Sequence, residues 1–550
     1  MNKIYFFLAL LVGCSTNLFA QYDIENIKIS YGVELPDDKA KIVKLFGENK
    51  GIVYALALKG KNDYYIKTFS SGEMKMLSSK LIVLPELKDR EIEFEEVALL
   101  DGKPYIIGSV YHKKDKIYTL VGLELGEDGK LKKNMLTLFE SEVAKNRDKG
   151  AFYFKVSPDE NSILIMHTAV FEKEDALKYA LKLFDSNLKE VFSNIDKVTY
   201  DDSKKDYQFI LSDFDVNVFN DVFLVVNESY RDSKKKEKVE KFQVFAFKNA
   251  NAYKKEVIDI NFKDKEIINC KMMATNKKTL QLVGFYSSVR DNGKANKELK
   301  GVYNATINLA TNVNENLKFN EFDYETKVKL LGERRAKKGK DVKPLYNIHT
   351  IIEKNDGGLI VLSEYQLVIV GKKSGIGPFA IQPITFVKNE IIVTCLKPDG
   401  SLEWSNVVAK DQAAAVSVLS IGFSGGSSSG SFSVGMSVSI PLAVMGKGPE
   451  YLSAIPIYKD GQLNIIFNDN KKNKGITDIE EIKSLGNYNN AVPTLFRFDA
   501  KGNITRFDPE EVIKNELVIR PGVYYRKNDN EFLIYASRKK ADKLGRMIIQ

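Results

Sequence analysis

The chain is predicted to be all-β on three observations. Runs of four to nine residues rich in Val, Ile, Phe and Tyr alternate with Asp, Asn, Gly and Lys turns along its whole length. Tight-turn signals recur, as ENKG at 48–51, LDGK at 100–103, SPDEN at 157–161, NDGG at 355–358, KDGQ at 459–462 and KNDN at 527–530. Asp-Gly and its relatives supply the positive φ that a two-residue hairpin needs. Finally, 44% hydrophobic and 28% charged residues, with Cys 3 and Pro 14, exclude a disordered chain, a disulfide scaffold and a proline-rich linker protein. The length prior of about 150 residues per domain would divide 550 residues into three or four domains, unless one repetitive fold uses them all.

Repetition decides between these. An apolar hairpin is followed by a second hairpin whose last strand is more polar, as in EFEEVALLDGKPYIIGSVY then KIYTLVGLELGEDGKLKKN, and in FYFKVSPDENSILIMHTAV then LKYALKLFDSNLKEVFSN. The same unit recurs around 346–407 and 451–508. Each unit reads as a four-stranded antiparallel blade, and inner hairpins near 48, 101, 158, 218, 276, 355, 460 and 528 give seven or eight of them. The last unit lacks a strand, which IENIKISYGVEL at 24–35 supplies. The prediction is a single β-propeller over 21–550, closed by its N-terminal strand. Two β-sandwich domains share the same strand-and-turn grammar, but repetition through the whole chain favours the ring. The stretch ETKVKLLGERRAKKGKDVK at 325–343 reads either as a spacer between two halves or as a charged surface loop.

Residues 1–20, MNKIYFFLALLVGCSTNLFA, have one Lys, a short apolar core and Ala20 before Gln21, the pattern of a secretory signal peptide. Leu11-Val12-Gly13-Cys14 also resembles a lipobox, so export with cleavage after Ala20 and lipid anchoring at Cys14 both stand as expectations. No later apolar run is long enough for a membrane-spanning helix. Cys270 and Cys395 lie in apolar strand-like runs, which favours two separate buried thiols over a disulfide.

The strongest local departure is 412–446, QAAAVSVLSIGFSGGSSSGSFSVGMSVSIPLAVMG, which has no charged residue. Alternation on both sides of its Gly-Ser centre predicts an inserted β-hairpin within a blade. One outcome is packing on the propeller's flank. The other is projection toward an apolar partner surface, an outer-membrane protein or the lipid interface. The expected contact residues are Val418, Ile421, Phe423, Phe432, Val434, Met436, Val438 and Ile440. A second low-charge stretch, SGIGPFAIQPITF at 374–386, belongs to the same unit.

Signs of chemistry are sparse. The sequence has no GxxxxGK[ST], HExxH, GxSxG or CxxC pattern. His112, His167 and His349 read as strand-face or core residues. Asp213 and Asp215, and Asn468 and Asp469, read as turn formers, since neither pair has EF-hand spacing. Glu364 is the single glycosidase-type carboxylate at a strand end and reads as a rim residue. Basic clusters at 231–241, 333–340 and 470–475 read as solvated turns. Hence no catalytic residue, cofactor, metal or nucleic-acid partner is expected.

IIEKNDGGLIVLSEYQ, IIVTCLKPDGSLEWSNVVAKDQ and LNIIFNDNKKN resemble a group of uncharacterised exported β-propeller-like proteins of Bacteroidota, through a DGG hairpin, a DGxxxW strand pair and an FND turn. The matching residues are Asp356, Gly357, Gly358, Asp399, Gly400, Trp404, Phe467, Asn468 and Asp469, within about 346–475. The resemblance carries no activity. It implies a module of the periplasm or the periplasmic face of the outer membrane, with an accessory role at a translocon such as the type IX secretion machinery. KADKLGRMIIQ at the end does not resemble that system's cargo-sorting domain. The expectation is a non-enzymatic, protein-binding subunit; the alternative is a secreted propeller enzyme cleaving polysaccharide or peptide.

Overall fold

The computed structural model describes residues 20–550 apart from 61, 127–128, 144, 172–175, 200–203, 233–237, 263–264, 275–278, 290–295, 373, 375–381, 419–427, 430–431, 435–443, 446, 510–516 and 539–540. Residues 1–19, including Cys14, lie outside the described residues.

Eight antiparallel sheets follow one another along the chain. Blades 1 to 7 occupy 41–81, 93–142, 151–199, 204–260, 265–321, 346–418 and 455–507, and in each but the fifth the strands pair in chain order; in blade 5 the short Lys265–Ile267 and Lys271–Ala274 both pair with Thr279–Ser288. Outside blade 5, the expected inner hairpins join the first two strands of a blade. Three of them are two-residue turns with both φ angles positive: Lys50 and Gly51 (48° and 77°), Asp101 and Gly102 (46° and 72°), and Asp460 and Gly461 (50° and 77°). That geometry matches the right-handed twist of the flanking strands, which is why Gly stands second in each.

Blade 8 is composite. Val518–Arg526, Glu531–Arg538 and Ala541–Ile549 come from the end of the chain, and Ile27–Tyr31 pairs antiparallel with the last of these, Ile27 opposite Ile549 and Tyr31 opposite Gly545. Ala20–Ile24 adds a fifth, outermost strand. The N-terminal strand therefore closes the ring, as expected, and the count is eight. Gly545 is required at its position: a Cβ there would lie 2.6 Å from the Tyr31 ring.

The core is a ring of seams. Alternate residues of each strand face the preceding and the following blade, so each seam draws from two sheets. Leu164, Tyr179 and Leu183 of blade 3 pack with Phe209, Leu224 and Phe247 of blade 4. Phe223 and Val244 of blade 4 pack with Leu282 and Tyr303 of blade 5. Ile27, Ile29 and Met547 of blade 8 pack with Ile457 and Ile466 of blade 7, and Leu533 and Leu544 of blade 8 with blade 1.

One feature differs from expectation. The charged stretch after blade 5 forms two helices, Tyr324–Leu331 and Glu333–Lys337. Asp323 caps the first by accepting from the Thr326 N–H, and Lys327 is buried against Glu321 and Asp341. The stretch is thus a connection between blades 5 and 6. The uncharged segment 412–446 begins within the outer strand of blade 6, Leu402–Val418, and ends before the inner strand of blade 7, Ile455–Lys459.

Ile29 is fully buried in the closing strand. Ile29→Ala should lower stability by about 2–5 kcal/mol, read as a shifted denaturant midpoint.

Candidate functional site in the central channel

The first strands of the blades surround a central cavity of about 830 Å³. Its wall includes Lys44, Glu95, Glu96, Lys149, Lys155, Asp213, Lys271, His349 and Lys388. Several of these charges pair across the joints between blades. Lys44 of blade 1 meets Glu96 of blade 2 at 2.8 Å, Lys149 at the entry to blade 3 meets Glu93 of blade 2 at 3.2 Å, and Lys271 of blade 5 meets Asp213 of blade 4 at 3.8 Å. Arg520 of blade 8 meets Glu450 at the entry to blade 7 at 3.2 Å, while Lys41 of blade 1 pairs with Asp542 of blade 8. The exposed pairs contribute little individually, about 0–1 kcal/mol, but each fixes one blade against the next.

Blade 6 holds a buried ion cluster. Glu364 is not on the rim; it lies on the second strand of its blade, with Lys410 at 3.0 Å and Lys388 at 3.1 Å. Burial works to raise its pKa, but Lys388, Lys410 and His349 outweigh it and hold the carboxyl at about 2. A group so held is a permanent anion and a poor general acid. Beside it, His349 contacts Thr350 Oγ1 at 2.7 Å and Ser453 Oγ at 3.2 Å, and burial pushes it down to about 4.

Two other carboxyls, Glu95 on the wall and Asp215 on the inner strand of blade 4, behave differently. Glu95 is held above its ordinary value by burial, although Ser109 Oγ donates to it at 2.5 Å and Tyr118 OH at 3.3 Å. Asp215, two residues beyond Asp213, is pushed up to about 6 by burial.

The remaining sequence candidates have structural surroundings. His167 stacks on Phe152 at 4.5 Å, donates through Nε2 to the Lys149 carbonyl at 2.8 Å and is pushed down to about 4 by burial. His112 is buried at the end of a blade 2 strand. Asp213, Asn468 and Asp469 bind across elements and are not turn formers: Asp213 accepts from the Met272 N–H, Asn468 donates to the Tyr451 and Ile519 carbonyls, and Asp469 pairs with Arg506 at 2.9 Å. Cys270 and Cys395 are buried, unpaired and in different blades, and burial raises both thiols to about 12. Among the described residues no group of three His, Cys, Asp or Glu is placed to hold a metal ion.

The described residues of the uncharged segment pair with two blades. Its first arm extends the outer strand of blade 6, where Val418 pairs with Gln382 and Ala413 with Val387. Ala414 and Val416 are buried there with Ile384, Phe386, Val444 and Leu452, so this arm packs on the propeller. Phe432–Val434 instead pairs in parallel with the inner strand of blade 4, Phe432 opposite Phe209 and Val434 opposite Leu211. Ile421, Phe423, Met436, Val438 and Ile440 lie outside the described residues. Sequence reasoning missed the charged wall; its only trace is a scatter of Lys and Glu at the starts of otherwise apolar inner strands.

The Glu364 cluster generates a pH prediction. Its folded value lies below the ordinary 4.5, so its contribution is complete above about pH 4.5 and is lost as pH falls toward 2. His167 and His349, at about 4 against 6.5, add an earlier loss between those values, because the unfolded chain binds their protons first. Glu364→Gln strands two lysines and should cost about 3–5 kcal/mol at neutral pH while removing only the lower-pH step, measured by unfolding across pH.

No family model matches the chain, and no curated protein matches it. Among solved structures, it is similar to the Dos1 propeller, at 8% identity and TM-score 0.39 over 94% of each chain. It is similar to the WD40 domain of SCAP from fission yeast, at 8% identity and TM-score 0.33 over 94% of this chain and 98% of that one. It is also similar to the quinohemoprotein alcohol dehydrogenase from Comamonas testosteroni, at 9% identity and TM-score 0.40 over 95% and 76%. What the chain's own eight sheets and closing strand make it is a β-propeller.

Proposed function

We propose that this propeller is a non-enzymatic binding module, exported to the periplasm or the periplasmic face of the outer membrane, where it serves as a partner or accessory subunit of an outer-membrane protein complex, a protein-secretion translocon included. The observation that supports this reading is the division of labour around the channel. Several charged wall residues pair with one another, whereas the one long charge-free stretch, 412–446, follows on from the outer strand of blade 6. A surface on which several charges are paired with one another beside an uncharged segment suits recognition of a protein more than turnover of a polar substrate.

The signal-like N-terminus supports export, with Cys14 as the anchor if the lipobox is used. Affinity purification from native envelopes should recover an outer-membrane protein with the full chain. Replacement of 419–443 by a Gly-Ser linker keeps the buried Ala414, Val416 and Val444 and should lose that protein. A folded chain recovered alone in both cases overturns the reading.

One observation favours the second reading, a polysaccharide- or peptide-cleaving enzyme: Glu95 stands on the cavity wall with a raised pKa, the state of a general acid. Glycan or peptide cleavage abolished by Glu95→Gln in a folded chain is the result that carries it.

A further inference from the structure

The course of the chain sorts its loops onto the two faces of the propeller. In a blade whose four strands pair antiparallel from inner to outer, the fourth strand ends on the face where the first begins. Connections between blades therefore share one face with the turns between second and third strands, and the remaining turns of each blade lie on the other. Contacts between blades agree with this sorting. On the connection face, Lys88 after blade 1 meets Asp115, between the second and third strands of blade 2, at 3.6 Å. On the turn face, Asn49 donates to the Gly102 carbonyl at 3.0 Å, and Trp404 Nε1 to the Ala500 carbonyl at 3.1 Å.

The two faces differ in charge. Among the described loop residues, the connection face carries 25 Lys and Arg against 18 Asp and Glu, whereas the turn face carries 9 against 10. More than half of the excess lies in the connection between blades 5 and 6, residues 322–345, with eight basic against four acidic residues.

This connection displays its cations on a fixed support. Ala336 and Val342 are buried, and Val342 exchanges both backbone hydrogen bonds with Leu299, at 2.7 and 3.0 Å. Asp341 is turned to the buried Lys327 at 3.5 Å, and Glu333 pairs with Lys337 at 2.5 Å. Arg334, Arg335, Lys338, Lys340 and Lys343 are exposed and, among the described residues, have no carboxylate within ion-pair distance. The blade 7 loop at 471–483 comes against the connection on the same face, where a Cβ at Gly332 would lie 3.6 Å from Glu480, and it adds four lysines against three carboxylates.

The kind of anion follows from what residues 333–343 do not expose. Their two apolar members, Ala336 and Val342, are the buried ones, so the patch has no apolar centre of the sort that anchors a protein interface. They include no aromatic side chain on which a base could stack. What is left is charge alone, spread along an exposed connection, which suits a plane of lipid phosphates.

We propose that the connection face of the propeller rests on an anionic phospholipid bilayer, with the cations at 334–343 as its main contact. This goes beyond the binding-module reading, since it orients the module at a membrane whatever its protein partner is.

The test uses the chain expressed from residue 21, so that no lipid at Cys14 contributes, and co-flotation with vesicles of phosphatidylcholine alone or mixed two to one with phosphatidylglycerol. The wild type should float with the mixed vesicles at low salt, stay behind with phosphatidylcholine alone, and be released as salt shortens the Debye length. Arg334→Gln with Arg335→Gln and Lys338→Gln should weaken partitioning roughly hundredfold, since each charge near the surface is worth about fivefold. Removing the same charge from the turn face, by Lys50→Gln, Lys397→Gln and Lys501→Gln, should change it less than about twofold. All six side chains are exposed, so both variants should keep the wild-type unfolding midpoint. Arg334→Lys with Arg335→Lys keeps the charge and should bind as the wild type does. Equal loss in the two triple variants, loss in the charge-keeping one, equal binding to both kinds of vesicle, or no binding to the mixed vesicles at low salt overturns the proposal. So does tighter binding to polyuridylate than to the mixed vesicles, which would make the ligand a nucleic acid. The vesicles hold no protein, so failure here leaves the binding-module reading in place, and loss of the envelope partner with vesicle binding intact does the reverse.

Discussion

The pairing of Ile27–Tyr31 with residues 545–549 joins the two ends of the chain, and every other blade contact is held in a ring because of it. Seven of the eight joints between blades follow from chain continuity: a blade ends at the rim and the next begins at the axis. The eighth exists only through this pairing and the seams beside it. Ile27 and Ile29 are fully buried against blade 7 residues, while Lys41 and Asp542 tie the same composite blade to blade 1. Opening this joint would expose the edges of two sheets at once, the state that closed β architectures avoid.

Closure also creates the channel. Eight inner strands around an axis bring together residues that are remote in sequence, and the charged ones meet as pairs across the joints. Lys44 and Glu96 are brought together in this way, as are Lys271 and Asp213.

Much of this was legible in the sequence for a local reason. Asp-Gly turns at 101–102 and 460–461 impose positive φ within two residues, so the inner hairpins and their count could be read from the text. The N-terminal strand followed from counting, because the last unit was one strand short. The site was less legible because its information is non-local. Alternation within 412–446 reveals strand character and its two faces, but not the partner, and the structure pairs one arm with blade 6 and another with blade 4. Glu364 reads as a rim carboxylate until strands 24 and 46 residues further on deliver Lys388 and Lys410 beside it. The helices at 324–337 were obscured by their charge, since the Asp323 cap and the burial of Lys327 depend on neighbours outside the segment.

Native-state hydrogen exchange at the closing strand tests the ring most directly. If Ile27–Tyr31 is the eighth joint, its paired amides should exchange as slowly as those of Ala541–Ile549, and the two strands should lose protection together as denaturant is raised. Rapid exchange at 27–31 alongside a protected Glu531–Arg538 strand would contradict closure by the N-terminal strand.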